Sequence, residues 1–310
     1  MKKIEDYKLI FMGTPYIAAK TFEALIQSGF NFVALIAQED KPVGRKNIFE
    51  KVPTKNVAEK YNIPVYQPHK IRKDFDFIKK LNPDLILTMA YGQIVPQTVL
   101  DIPKYGCLNL HGSILPKYRG AAPIQRAIMN GDKVTGITLM EMIDKMDAGR
   151  MYAFEKVIID DNDNYSSLVE KMSDAAIKIV KDNLINYFEG KLTGIIQDES
   201  QVSFADKISV VDEKIPLTLS KTDFINYVRA LSDEPGGYIL LNDKKLKVYK
   251  AHVVNSTIEQ IGKITIKKGV FLSLKDGTVE LDIVKLEGKK KMDDKSFANG
   301  AKVFDGIIAL

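Results

Sequence analysis

The first half of the chain repeats one alternation, a short apolar run followed by an amphipathic or polar stretch and then another apolar run. The runs "YKLIFMG" (7–13), "NFVALIA" (31–37), "PDLILTMA" (83–90), "GCLNLH" (106–111) and "TGITLMEM" (135–142) read as strands. Between and after them the spacing predicts helices over about 54–61, 70–80 and 165–189. Thr14 and Pro15 open another, running to about Ser28, since proline is tolerated at a helix start, where its missing N–H has no partner to lose. This alternation predicts an α/β domain built on a doubly wound, mostly parallel sheet.

After Gly190 the pattern changes. The segment from 194 to 220 has no long periodic run, and beyond it one helix (about 221–231) precedes the short runs "GGYILLN", "KLKVYKAHVV", "GKITIKKG", "VFLSLKDG" and "TVELDIVKLE". Asp276 and Gly277 form a hairpin signal, and short strands so closely spaced indicate a small all-β barrel or sandwich. With 310 residues, two domains are expected: 1–193, a linker at 194–206, and 207–310.

Several function classes lose support at once. The N-terminal "MKKIEDYKLIFMG" lacks a cleavable apolar leader, and no run approaches the roughly 18 apolar residues of a membrane span, so a cytoplasmic protein is expected. The single cysteine, Cys107, can form neither an intrachain disulfide nor a cysteine-rich zinc site, and its apolar flanks predict a buried, inert thiol. "FMGTPYIA" follows the first strand as a dinucleotide site would, but Gly13 stands alone where three glycines are needed. The three histidines are far apart in sequence, so no metal is expected; His69 and His252 are read as surface or structural residues. In 207–310, 18 Lys and Arg less 14 Asp and Glu leave +4 of the chain's +5, a weak pointer to a polyanionic partner.

Two loops follow strands in the first half: "QEDKPVGRKNIFEKVP" (38–53), read as a long irregular loop, and "LNLHGSILPKYRGAAPIQ" (108–125). In open α/β sheets ligands bind at that strand edge. Asn109 and His111 are two apart at a strand end and so project to one face. An amide donor beside an imidazole suits oxyanion stabilisation and proton transfer, as in acyl transfer to an amine. Taken alone, such a pair fits a capped strand end with a hydrogen-bonded structural histidine better. Asp147, in "IDKMDAGRM" (143–151) after another strand, adds a carboxylate that could orient the ring. A substrate amine would be the nucleophile, so no serine or cysteine need serve.

With "NLHGSILPKYRGAAPIQRAIMNGD" (109–132) and "TGITLMEMIDKMDAG" (135–149), the sequence resembles the folate-dependent formyltransferases over essentially its whole length. "IFMGTPYIA" (10–18), "PDLILTMAYGQIVP" (83–96) and "EPGGYILLNDKKLKVYKA" (234–251) support the likeness, and the Lys117–Gln125 stretch favours the branch acting on tRNA. The resemblance implies transfer of the formyl group of 10-formyltetrahydrofolate to the α-amino group of methionine on initiator tRNA, by a monomer. The alternative within the family is a formyltransferase for an amino sugar nucleotide or a small ribonucleotide amine. By position, Asn109, His111 and Asp147 match the catalytic trio. Ser113, Ile114, Leu115 and Pro116 match the folate-binding turn, and Tyr91, Gly92, Gln93, Ile94 and Val95 the pterin pocket. Arg45 and Lys46 match a tRNA-contacting insertion, and the C-terminal part an OB-like, tRNA-holding barrel. The chain departs from the pattern at "KNIFEK" (46–51), at Glu234, where tryptophan is usual, and at Arg150, where an acid is frequent.

Overall fold

The apolar run at the N-terminus becomes β1 (Leu9–Gly13), a strand buried along its whole length, in a computed structural model that describes residues 2–43, 48–255 and 259–310, the side chains of Val43 and Ile48 apart. Leu9 and Phe11 alternate with Ile10 and Met12, and both faces are covered, as expected for a central strand of a parallel sheet. The chain divides into two compact units.

The first unit comprises Met1–Pro123, Val134–Ile158 and Val169–Ala205. Its sheet also contains β2 (Phe32–Ile36), β5 (Val65–Tyr66), β6 (Leu85–Met89), β7 (Cys107–His111), β8 (Val134–Glu141) and β9 (Met151–Ile158), in the order β5-β2-β1-β6-β7-β8-β9. The first five pair in parallel, whereas β8 and β9 are antiparallel to their neighbours. The order reverses between β1 and β6, and a crevice at the carboxyl ends of the strands is the ligand-binding place in such sheets. Gly13 ends β1 at that point. A Cβ there would lie 2.6 Å from the Met89 carbonyl oxygen and 2.9 Å from Ala18 Cβ, so the glycine lets β1, β6 and the following helix α1 (Tyr16–Gln27) approach closely. Phe11 stacks on Phe22, and Phe32 meets both rings edge-on, on one face of the sheet, and Ile10, Met12, Ile36, Ile86 and Val99 pack on the other.

Several expectations need correction. Residues 38–53 are not a wholly irregular loop, because Lys41–Val43 (β3) pairs antiparallel with Ile48–Glu50 (β4). Pro42 is accommodated because each strand of a two-stranded ribbon keeps an open edge, where a missing N–H costs nothing. Helices α2 (Pro53–Lys60) and α6 (Tyr165–Phe188) lie where the spacing predicts them, but the helix expected over 70–80 is only α3 (Asp76–Leu81), which follows a turn. Strand β9 and helices α4 (Gln97–Leu100) and α5 (Pro123–Met129) were not expected. The segment expected as a linker is largely bound into the first unit: Ile195 bridges Met151, and Ser203 and Ala205 pair with Arg119. Arg45 and Lys46 lie outside the described residues.

The second unit comprises Ile124–Lys133, Ile159–Leu168 and Asp206–Leu310. Helix α7 (Lys221–Ala230) is capped by Ser220, whose hydroxyl accepts from Asp223 N–H at 3.1 Å. The strands β10 (Gly237–Leu241), β11 (Lys244–Val254), β12 (Ile264–Ile266), β13 (Val270–Leu274) and β14 (Gly277–Leu286) run in the antiparallel order β10-β11-β14-β13-β12. β15 (Met292–Asp293) also pairs with β14, completing the half-barrel form of a small β domain. Left-handed Asn242 and Asp243 close the tight β10–β11 turn, and β13 and β14 are joined at Lys275 and Asp276, next to Gly277. Leu241, Leu246, Val248, Leu272 and Leu281 pack with Phe224 and Val228 of α7 in the core. Among the described residues no helix is long and apolar enough to cross a membrane.

Candidate active site

Strand β7 delivers Asn109 and His111 to the carboxyl edge of the sheet, two residues apart and hence on one face. His111 is 5% exposed, and its Nε2 lies 2.8 Å from the Tyr118 carbonyl oxygen. A carbonyl can only accept, so Nε2 carries a proton. Nδ1 points the other way and lies 3.6 Å from Oδ2 of Asp147. The structure thus brings together the histidine and the aspartate that the sequence separates by 36 positions (147 − 111). Asn109 is half-buried, and its amide has no hydrogen-bond partner among the described residues.

Asp147 sits in the left-handed region, at φ 50°, which few residues other than glycine and asparagine or aspartate tolerate. Its Oδ2 accepts from the Gly120 N–H at 2.8 Å. Gly120 itself has φ 122°, and a Cβ there would lie 2.7 Å from the Ala205 carbonyl oxygen. The Asp147 and Gly149 carbonyls both accept from Gln197 Nε2 at 2.8 Å. Gln197 Oε1 in turn accepts from Nε of the buried Arg119 at 2.9 Å, and the same guanidinium pairs with Glu199 at 2.8 Å. None of these supports was anticipated. Gln197 belongs to a stretch without periodicity, where sequence alone gives no signal.

The turn after β7 is locked from beneath. Thr138, opposite His111 on β8, donates to the Ser113 carbonyl at 2.7 Å and accepts from Leu115 N–H at 3.1 Å. The buried Ser113 hydroxyl donates to the Lys117 carbonyl at 2.6 Å, and the Leu115–Pro116 bond is cis. Ile114 remains half-buried beside Gly136, where a Cβ would lie 3.0 Å from its Cγ1.

The loop after β6 is less uniform. Tyr91 and Val95 are buried, and Gly92 takes φ 93° close to Gln38. Gln93 points away to other work: it accepts from Ile71 N–H at 2.9 Å and donates to the Pro68 carbonyl at 3.2 Å. Ile94 is 84% exposed. Three buried polar atoms near these strand ends, Gln38 Nε2, Thr88 Oγ1 and Tyr91 Oη, have no partner among the described residues. Thr88 is the β6 neighbour of Asn109. Unmet donors and acceptors, with apolar Val95 packed in the same cluster as Tyr91, fit a heteroaromatic ring with amide-like edges, as a pterin has.

His69 and His252 stand apart from this group, the first exposed and paired with Glu39 at 2.9 Å, the second with Asp282 at 2.7 Å. Cys107 is buried, and burial, reinforced by the Asp101 carboxylate, pushes its thiol up to about 12.

Residues 7–184 match the formyl transferase family, and residues 207–302 match the formyl transferase C-terminal domain. The chain belongs to the formyl transferase family. A methionyl-tRNA formyltransferase of Malacoplasma penetrans is 43% identical to this formyl transferase over 96% of its chain and 94% of the relative's. Among solved structures, an N-formyltransferase from Helicobacter canadensis, in complex with folinic acid and dTDP-3-aminofucose, is similar at TM-score 0.68. That likeness is 19% identical and covers 89% of this chain and 98% of the other. HypX from Aquifex aeolicus in complex with tetrahydrofolic acid is similar at TM-score 0.63 and 17% identity over 95% of this chain. This formyl transferase spans about half of HypX, 47% of its length. At such identities the two structures establish the shared fold, an α/β unit with a mostly parallel sheet.

Proposed function

We propose that this formyl transferase passes the formyl group of 10-formyltetrahydrofolate to the α-amino group of methionine on initiator tRNA. It would act in the cytoplasm as a monomer. The 43% identity to a methionyl-tRNA formyltransferase across nearly the whole chain, both units included, carries this reading.

The chemistry follows from the strand-end groups. The neutral amine, with a reference pKa near about 7.7, attacks the formyl carbon, and the carbonyl oxygen becomes an oxyanion. The free Asn109 amide donates to it. With Nε2 committed to Tyr118, His111 can donate to the oxyanion or exchange a proton only through Nδ1, the nitrogen that faces Asp147. The Asp147 carboxylate, facing Nδ1, helps the proton lost by the amine reach N10 as the carbon–N10 bond breaks. Tyr91, Gly92 and Val95, with the Ser113–Pro116 turn, would hold the folate. Gln93 and Ile94 would frame that pocket from outside it, one through backbone contacts and one from the surface. Arg45 and Lys46, with the basic residues of 207–310, would meet the tRNA backbone.

Formyl transfer from 10-formyltetrahydrofolate to charged initiator tRNA, to free methionine and to an amino sugar nucleotide tests the reading. Turnover confined to charged tRNA is expected. Turnover of the sugar nucleotide, undiminished by deleting residues after 206, would replace it with the small-substrate alternative.

A further inference from the structure

We propose that Gln197, itself braced by Arg119, is a positioning residue for formyl transfer that sets Asp147 against His111. The inference rests on the reading above, in which the His111–Asp147 pair moves the proton.

Three consecutive residues, Tyr118, Arg119 and Gly120, govern the pair. The Tyr118 carbonyl fixes His111 Nε2, and the Gly120 N–H fixes the Asp147 carboxylate. Between them, the Arg119 guanidinium reaches Gln197 Oε1. Gln197 Nε2 spends its two hydrogens on the carbonyls of Asp147 and Gly149. Every polar atom of the Gln197 amide is therefore used, and an inverted amide would set an oxygen against two carbonyls and NH₂ against a guanidinium. Gln197 is 4% exposed and Arg119 1%, so water cannot readily replace either. Arg119 is itself anchored, its N–H donating to Ser203 O at 2.9 Å and its carbonyl accepting from Ala205 N at 2.7 Å.

Asp147 needs such a brace. Its backbone is left-handed, a conformation unfavourable for an ordinary L-residue. The Gly149 side of the loop is equally tight, since a Cβ there would collide with the Glu141 carbonyl. Gln197 grips the carbonyls on both sides of Ala148 and holds the turn that points the carboxylate inward. Without it, Oδ2 keeps only the Gly120 N–H, and its distance from His111 Nδ1 is no longer fixed. Displacement of a reacting group by about 1 Å can cost on the order of 10²-fold in rate.

The test is a double-mutant cycle on kcat with Gln197→Met and Asp147→Asn. Gln197→Met fills the space while removing all three hydrogen bonds. It should lower kcat about 10- to 100-fold, leave KM for folate and tRNA within about twofold, and flatten the same limb of the pH–rate profile as Asp147→Asn. On the Asp147→Asn background it should cost less than about threefold more, because the braced group is already disabled. Losses that multiply in full, or a rise in KM at unchanged kcat, would overturn the inference while leaving the reading intact. Full activity of Asp147→Asn would instead overturn the reading, and the inference with it. Should Gln197→Met not fold, Gln197→Glu keeps the Arg119 contact, loses both donors and enters the same cycle with the same criteria.

Discussion

The Nδ1 atom of His111 faces Oδ2 of Asp147 at 3.6 Å, while the opposite ring nitrogen is held by the Tyr118 carbonyl. The carbonyl fixes the tautomer, so any second proton is taken up at Nδ1, beside the carboxylate. A histidine so placed differs from a structural one, whose hydrogen bonds would leave neither nitrogen free to exchange a proton. Its burial also keeps bulk water from competing for that site.

Asp147→Asn separates charge from shape. An asparagine Oδ1 can still accept the Gly120 N–H, so the loop keeps its anchor, but the negative charge facing the imidazole is gone. Loss of a positioned acid–base partner typically costs about 10²- to 10⁴-fold. We expect kcat to fall within that range with folate and tRNA affinities unchanged, measured by single-turnover formylation. A wild-type rate would remove Asp147 from the proton path.

Asn109→Ala removes one oxyanion donor. Because the amide has no other partner, the substitution leaves no new unpaired group behind. Losing such a donor costs about 2.7–4 kcal/mol of transition-state stabilisation, so kcat should drop by roughly 10²- to 10³-fold. Folate binding, followed by fluorescence titration, should change little. A weakened folate with an unchanged kcat would mean that Asn109 binds the ground state.

Gly13→Ala tests the packing at the sheet reversal. The new Cβ would meet the Met89 carbonyl oxygen at 2.6 Å and both Ala18 Cβ and Phe11 Cε1 at 2.9 Å. The oxygen belongs to a central strand and cannot move aside, so overpacking of about 1–3 kcal/mol is expected. Urea unfolding should show that loss. A neutral result would mean that β1 and β6 can part without penalty.

What could be read beforehand follows from burial. β1 and β6 are covered on both faces, and such strands are continuous apolar runs that stand out from the intervening helices. β9 forms the sheet edge and is mostly half-exposed, with Phe154 and Ile158 open to solvent, so "MYAFEKVI" carries no clear alternation. Gly13 stood out as a glycine but not for its reason, which is three-dimensional crowding. Asn109 and His111 were legible because i and i+2 on one strand share a face. Asp147 entered only as a carboxylate at another strand end, and its φ, its Gly120 contact and Gln197 depend on pairings between distant segments that no local pattern encodes.

Arg45→Ala probes the insertion after β2. If Arg45 neutralises a phosphate of the acceptor end, its removal should weaken charged-tRNA binding and reduce the slope of log K against log salt by about 0.7–0.9. Turnover at saturating tRNA should stay near wild type. The titration is run at several salt concentrations, and parallel slopes would show that this side chain neutralises no phosphate.

Cys107 offers a pH-dependent signature unrelated to catalysis. Burial, then the nearby Asp101 carboxylate, push its thiol up to about 12 in the folded protein. In the unfolded chain the thiol ionises near about 8.5, so the unfolded state loses its proton first as pH rises. The stabilising contribution is therefore complete below that pH and is lost progressively toward about 12. The steepest loss is about 1.4 kcal/mol per pH unit for one proton. Comparing wild type with Cys107→Ala by urea unfolding between about pH 7.5 and 10.5 cancels the other titrating groups. Wild type should lose more stability over that interval than the variant, and its native thiol should resist alkylation until urea exposes it. Equal losses in the two proteins would mean that the thiol is not held neutral by burial.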